Sequence, residues 1–347
     1  MKKVKFGIIG TGAIAQIHAK AIAHTTNAEL VMVYDKLPEL ARAFAAQHRC
    51  RAAKSFEELL ASDVEALTIA TPSGLHAEVG IPAARAGKHL LCEKPLEVSV
   101  SRTNDLVRAC ESSNIRLSAV FQSRYSRSVQ VIRQAVEEGR FGQSVLAAAS
   151  VLWYRSPEYY GKATWRGTWA LDGGGALMNQ AIHTVDLLLY FNGDVSEVTG
   201  RIARLLHRSI EVEDTVVAML KFKNNSLGTI QASTACAPGF PRRVELTGTD
   251  GSVLLEDDRI LRWQFKEERP GDKRIRREGA KGEGLHGGSG DPGAISFEGH
   301  RRQISELADA ILNGEHLTTP GAEGKRAVEL VCAVYESART GNTIKFL

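Results

Sequence analysis

Val4-Lys5-Phe6-Gly7-Ile8-Ile9-Gly10-Thr11-Gly12-Ala13-Ile14-Ala15 decides how this chain folds. Its first six residues form a short, mostly apolar run that predicts a buried strand, and Ala13 to His24 reads as a helix. Between them stands G-x-G-x-x-A. Gly10 permits the tight turn, Gly12 lets a pyrophosphate approach the backbone, and the small Ala15 allows helix and strand to pack closely. The open N–H groups at the helix start then meet the phosphate charge. Alone, such a hexamer is weak. Here a second apolar run, Leu30 to Tyr34, ends at Asp35, 20 residues beyond Ala15. A carboxylate at that place accepts hydrogen bonds from the adenosine ribose and repels a 2′-phosphate. NAD is therefore expected over NADP, with Lys36 the cation that would tolerate the phosphate.

The alternation continues. Phe56 to Ala61 reads as a helix, Ala66 to Ala70 as a buried strand, His76 to Ala86 as a helix and His89 to Cys92 as a strand. Helix Ser101 to Ser112 and strand Ile115 to Phe121 follow. Repeated βα units with short connections predict a doubly wound parallel sheet, an α/β Rossmann domain over residues 1–122. Ligands of such sheets sit at the carboxyl ends of the strands. That rule selects Gly10, Thr11, Gly12, Ala13, Ile14, Asp35, Thr71, Pro72, His76, Glu93, Lys94 and Gln122 as the cofactor contacts. In Glu93-Lys94-Pro95 the proline restricts the lysine's backbone. A lysine so held is a candidate for proton transfer or charge stabilisation, or is simply a solvated loop residue.

Composition sets the outer bounds. The 347 residues carry 43% hydrophobic and 24% charged residues, which excludes disordered and collagen-like chains. A formal charge of +4 gives no general case for nucleic-acid binding. Much of it is local, since residues 259–281 hold nine Lys/Arg against four Asp/Glu. Five scattered cysteines without a CxxC pair point to a reducing compartment and to no metal. The N-terminus offers no signal-peptide core and no run is long enough to span a membrane, so a cytoplasmic location is expected.

After a helix over Ser128 to Glu138 the pattern changes to strands joined by turns. Thr215 to Phe222 and Leu227 to Thr234 flank Lys223-Asn224-Asn225-Ser226, and Val244 to Gly248 meets Ser252 to Glu256 across Thr249-Asp250-Gly251. These are hairpin signals, so residues 123–347 are expected to form a second, α+β domain with a large, mostly antiparallel open sheet. Within it, Asp172-Gly173-Gly174-Gly175 opens a helix on which Asn179, His183 and Asp186 share a face by their i, i+4, i+7 spacing. A histidine exchanges protons near neutral pH, although a lone helical histidine is more often structural. Upstream, residues 153–169 gather three of the four tryptophans and three of the seven tyrosines, with Arg155 and Arg166. Aromatic faces with arginine suit a sugar bearing a carboxylate or phosphate. Residues 266–293, basic and glycine-rich, read either as a mobile lid contacting phosphates or, with seven glycines between 279 and 293, as a segment disordered without substrate, the favoured reading.

With these residues in view, the sequence resembles the glucose–fructose oxidoreductase / inositol dehydrogenase / MocA family of NAD(P)-dependent sugar oxidoreductases. The resemblance runs through Gly10-Thr11-Gly12, Thr71 to His76, Glu93-Lys94-Pro95 and the His183 helix. A closer likeness is to bacterial UDP-N-acetyl-2-amino-2-deoxyglucuronate 3-dehydrogenases, on Glu158-Tyr159-Tyr160, Trp165 to Trp169, Gly174 to Gln180 and Val212-Glu213-Asp214-Thr215. The resemblance implies that His183 takes the hydroxyl proton as hydride passes to the nicotinamide, and that Lys94 holds the oxygen and tunes that base. It implies substrate contacts from Lys94, Arg155, Tyr160, Trp165, Arg166, Asn179 and His183, with Asn179 binding a hydroxyl. It also implies a homodimer or homotetramer. Two other readings stay open: an NAD-retaining glycoside hydrolase working by transient C3 oxidation, and a non-catalytic NAD-binding sensor.

Overall fold

The structure, a computed structural model, describes residues 2–284 and 296–346. It divides into two compact units, Met1–Gln122 with Phe297–Lys325, and Ser123–Ser296 with Arg326–Leu347.

The first unit runs β1 (Val4–Ile9), α1 (Ala13–Ala23), β2 (Ala28–Tyr34), α2 (Pro38–His48), β3 (Arg51–Ala52), α3 (Phe56–Ala61), β4 (Ala66–Ile69), α4 (His76–Arg85), β5 (His89–Cys92), α5 (Val100–Ser112) and β6 (Leu117–Ala119). Its six strands lie in the order β3-β2-β1-β4-β5-β6, every pair parallel, which is the doubly wound arrangement. Burial on both faces explains the near-continuous apolar runs, and all four residues of β4 are buried. Ser55 and Ser99 start α3 and α5 by accepting from the backbone N–H groups of Glu58 and Arg102. Helix α2, absent from the sequence reading, begins on Pro38, whose fixed φ suits a first helical position.

The second unit runs α6 (Arg127–Glu137), β7 (Ser144–Leu152), α7 (Pro157–Gly161), a π-helical turn (Ala176–Ala181), α8 (Ile182–Asn192), β8 (Val195–Ala203), β9 (Thr215–Phe222), β10 (Leu227–Ser233), β11 (Arg243–Gly248), β12 (Gly251–Glu256), β13 (Arg259–Phe265) and α9 (Asp272–Gly279). Of the remaining elements, α10 (Glu298–Asn313) lies in the first unit, α11 (Gly321–Thr340) has residues in both, and β14 (Ile344–Lys345) lies in the second. The eight strands follow the order β13-β12-β11-β7-β10-β9-β8-β14 and are antiparallel except for the β7–β10 pair. Asn225 and Asp257 supply the left-handed backbone in two of the hairpin turns, at φ 69° and 53°. Alternation along β7, β9 and β10 buries Ala147, Ala149, Ala218, Leu220 and Ile230 on the face toward α8. The opposite face shows Leu146, Val217, Met219 and Leu227 to solvent.

Two expectations need correction. The second domain does not hold everything after residue 122, because α10 packs in the core of the first unit, where Ile304, Leu307 and Ala308 meet Phe6, Ile8 and Ile22. The basic stretch is also no lid over residues 266–284. There α9 is fastened to β13 by Asp272, whose carboxylate takes two bonds from Arg140 at 2.8 Å and one from Trp263 Nε1 at 2.7 Å. Residues 285–293 of the expected lid lie outside the described residues. No helix among the described residues is long and apolar enough to cross a membrane.

Arg140 and Asp272 are both buried, so removing one partner strands the other without its countercharge. Asp272→Ala should lower stability by about 3–5 kcal/mol in urea unfolding, against well under 1 kcal/mol for an exposed pair such as Lys266–Asp250.

Candidate functional site

In the first unit the turn after β1 has the geometry expected of a phosphate cradle. Gly10 sits at φ +90°, and a Cβ there would lie 2.7 Å from the Ala70 carbonyl oxygen, so neither its backbone nor its space admits another residue. Gly12 opens α1 in extended conformation with no side-chain cap, no acidic residue in the first turn, and empty space where a side chain would stand. The Asp35 carboxylate braces the turn: Oδ2 accepts from Thr11 N at 2.9 Å and Thr11 Oγ1 at 2.7 Å, and Oδ1 accepts from Leu37 N at 3.0 Å. An uncapped helix start beside an open glycine and an acidic strand end fit a dinucleotide.

The other expected cofactor contacts fall into two kinds. Thr71 and Gln122 carry buried oxygens, Oγ1 and Oε1, with no hydrogen-bond partner among the described residues. His76 and Glu93 are instead bonded within the protein. His76 Nδ1 lies 2.8 Å from the Pro95 carbonyl oxygen and Nε2 3.0 Å from that of Thr71. Glu93 is buried, its Oε1 2.9 Å from His18 Nε2 and its Oε2 accepting from Lys94 N at 3.1 Å. Burial pushes the Glu93 carboxyl up, but its imidazole neighbours His18 and His300 outweigh that and hold it well below the usual carboxylate range. The half-exposed Lys94 follows, joined to Pro95 by a cis peptide bond.

In the second unit His183 stands in the first turn of α8, half-exposed between buried Ile182 and Thr184. The π-helical turn before it breaks the 3.6-residue period between Asn179 and His183. Asp186 points to the core instead, its carboxylate accepting from Arg124 Nε at 2.9 Å and Nη2 at 2.6 Å, with the guanidinium over the Tyr190 ring. Asn179 is drawn into a polar chain, donating to Asp172 while its Oδ1 accepts from Gln180 Nε2 at 2.6 Å. Gln180 Nε2 also donates to Tyr159 Oη at 2.9 Å, and its Oε1 accepts from Arg155 at 3.1 Å.

The aromatic segment sorts its members. Tyr160, expected at the substrate, is buried against Ile210 and Val212 with its hydroxyl 2.9 Å from Thr234 Oγ1, and burial pushes that phenol up. Its neighbour Tyr159 joins the polar chain instead, with the Arg155 and Arg166 guanidiniums 5.6 Å and 4.5 Å from its ring centroid. Arg166 also lies over Trp165. Like charges gathered at one ring favour an incoming anion.

Glu213 entered the sequence analysis only as part of Val212-Glu213-Asp214-Thr215, with no role assigned to it. Wholly inside, its carboxylate accepts from Gly175 N at 2.9 Å, Leu177 N at 2.8 Å and Tyr335 Oη at 3.0 Å. It thereby ties down the start of the π-helical turn that leads to His183. A Cβ on Gly175 would meet the Glu213 carbonyl oxygen at 1.8 Å, so the glycine loop lets the two segments touch.

The comparisons agree with this geometry. Residues 4–121 match the oxidoreductase family with an NAD-binding Rossmann fold, and residues 129–254 match the GFO/IDH/MocA C-terminal domain. The chain belongs to the Gfo/Idh/MocA family of oxidoreductases and carries its NAD-binding Rossmann fold. It is similar to the WlbA dehydrogenase of Bordetella pertussis, solved with NADH and UDP-GlcNAcA, at 34% identity and TM-score 0.89 over 100% of this chain and 99% of that one. WlbA of Chromobacterium violaceum, solved with the same two ligands, gives 31% identity and TM-score 0.90 over 100% and 97%. Inositol 2-dehydrogenase of Rhizobium meliloti is 28% identical over 74% of this chain and 76% of its own.

Burial raises the Glu213 carboxyl to about 7, outweighing the hydrogen bonds that favour its charged form. A folded-state value above the unfolded one gives stability that is full below about pH 4.5 and is lost as pH rises through about 7. Between pH 5 and pH 8, wild type should therefore lose roughly 2 to 3 kcal/mol relative to Glu213→Gln, read from urea unfolding of both proteins.

Proposed function

We propose that this oxidoreductase removes hydride from a secondary hydroxyl of a sugar-like substrate carrying an anionic group, with a nucleotide-linked sugar acid the leading case. The observation that carries the reading is the pair of guanidiniums, Arg155 and Arg166, gathered at Tyr159, which is bonded to Gln180 in the turn that precedes His183 in sequence. Support also comes from the two WlbA relatives, whose structures hold UDP-GlcNAcA.

NAD, when bound, supplies the hydride acceptor. Its pyrophosphate would be held by Gly10, Thr11, Gly12, Ala13 and Ile14 and its ribose by Asp35, with Thr71, Pro72 and Gln122 as further contacts. His183 takes the proton from the reacting hydroxyl on a ring nitrogen, leaving the carbinol oxygen with the electron pair that forms the carbonyl. The Lys94 ammonium donates to that oxygen and stabilises its developing charge. Asn179, Gln180 and Tyr159 orient neighbouring hydroxyls, Trp165 covers an apolar sugar face, and Arg155 and Arg166 bind the anion. His76 and Glu93 act from behind by fixing the loops that carry Thr71 and Lys94.

A screen of UDP-GlcNAcA, UDP-GlcNAc, myo-inositol and free sugar acids with NAD and NADP, followed by NADH absorbance, tests this. UDP-GlcNAcA with NAD should give the highest kcat/KM. His183→Ala and Lys94→Ala should each lower kcat by about 100-fold or more while NADH still binds. Binding of neither cofactor, or unchanged turnover in the double variant, would sink the reading.

The proposal includes a homodimer or homotetramer in the cytoplasm. The open sheet face bearing Leu146, Val217, Met219 and Leu227 supports the first part, and five free cysteines support the second. Met219→Glu should shift the light-scattering mass toward one chain at micromolar concentration; an unchanged mass removes this face from the interface.

A further inference from the structure

Three buried imidazoles surround the Glu93-Lys94-Pro95 peptide, and none of them takes part in the proposed chemistry. His18 comes from α1, His76 from the first turn of α4, and His300 from α10; they are 0%, 1% and 1% exposed. Glu93 Oε1 lies 2.9 Å from His18 Nε2 and 3.4 Å from His300 Nε2, and the two rings meet edge to face with centroids 5.0 Å apart. The other carboxylate oxygen accepts from the Lys94 backbone N–H at 3.1 Å. On the far side of the lysine, the Pro95 carbonyl oxygen is 2.8 Å from His76 Nδ1. His18 Nδ1 and both ring nitrogens of His300 have no hydrogen-bond partner among the described residues; His18 spends its other nitrogen on Glu93, and His300 Nε2 faces the same carboxylate oxygen at ion-pair distance.

Burying an ionisable trio costs more than filling the same volume with apolar side chains. What an apolar trio lacks is a charged acceptor for the Lys94 N–H, and charge-assisted hydrogen bonds are the short, strong ones. The same contacts join separate parts of the chain. His18 rides on the helix that Gly12 opens, so the dinucleotide turn and the lysine peptide share one rigid element. His300 adds a hold from α10, more than 200 residues away in sequence.

We propose that His18 and His300 are positioning residues for Lys94, acting through the Glu93 carboxylate to fix the backbone from which the lysine ammonium is presented. The inference rests on the assignment of Lys94 to the reaction.

Leucine and glutamine variants of both histidines separate positioning from mere packing. Leucine keeps the volume and loses the donor; glutamine restores an N–H near the Nε2 position. Melting followed by circular dichroism checks folding, and NADH fluorescence gives the dissociation constant. The lysines are reductively methylated with 13C-formaldehyde, and the Lys94 resonance, assigned by its loss in Lys94→Arg, is titrated by NMR. His18→Leu and His300→Leu should bind NADH within about threefold of wild type. They should move the Lys94 titration by about half a pH unit or more and lower kcat about tenfold at similar KM. His18→Gln and His300→Gln should recover most of both. If the leucine variants do not fold, Glu93→Gln carries the same NMR readout.

An unchanged Lys94 titration in the folded leucine variants, or in Glu93→Gln, overturns the proposal. So does stoichiometric metal in the purified protein by elemental analysis, because the trio would then be a metal site. Unchanged turnover in Lys94→Arg would refute the catalytic assignment alone, since the NMR result does not depend on a substrate.

Discussion

A carboxylate taken out of water keeps its charge only where the surrounding chain supplies donors, and each unit is organised around one that has found them. In the first unit Glu93 gathers imidazoles from α1 and α10 and the N–H of the next residue. In the second, Glu213 gathers two backbone N–H groups and a phenol. Neither carboxylate is assigned to the chemistry. Each holds the backbone beside a residue that is: Lys94 in one case, the turn leading to His183 in the other. The two differ in how well the donors offset burial, since Glu93 is held below the usual carboxylate range and Glu213 is raised to about 7.

The same principle sorts the remaining charges. Asp186 and Arg124 satisfy each other fully inside the second unit and so belong to its architecture. Asp272 does the same for α9, which is why a stretch that looks loose by composition is fastened over its described part. Arg155 and Arg166 differ in kind, because they crowd together at a ring. Their convergence on the Tyr159 ring is the feature that carries the substrate reading.

Much of the architecture was legible because it is written locally. The glycine turn, the acid 20 residues on and the alternation of apolar runs each depend on neighbours in sequence, and they placed the parallel sheet and the carboxyl ends of β1, β2 and β5, while β3 went unread and β4 and β6 end earlier than expected. The hairpins of the second unit were legible for the same reason, through Lys223-Asn224-Asn225-Ser226 and Thr249-Asp250-Gly251. What escaped were features set by tertiary contact or by an interrupted period. The π-helical turn shifts the phase between Asn179 and the helix that follows, and Asp186 is taken up by Arg124 from a distant part of the chain. Tyr159 and Tyr160 are adjacent and chemically identical, and only the pocket of Ile210 and Val212 decides which is buried. The His18–Glu93–His300 cluster joins three distant segments, and no spacing rule could have connected them.

The return of Phe297–Lys325 to the first unit bears on how the protein is made. Synthesis runs from the N-terminus, so the parallel sheet leaves the ribosome long before Ile304, Leu307 and Ala308 exist to cover its core. At ~5–20 residues per second that interval is on the order of 10–40 s. During it, the apolar surface around Phe6 and Ile8 and the carboxylate of Glu93 wait for partners not yet translated. The second unit, mostly contiguous, can acquire structure within that interval. A nascent chain stalled before residue 297 would therefore present a chaperone with an uncovered surface on the first unit, and release would depend on Phe297–Lys325.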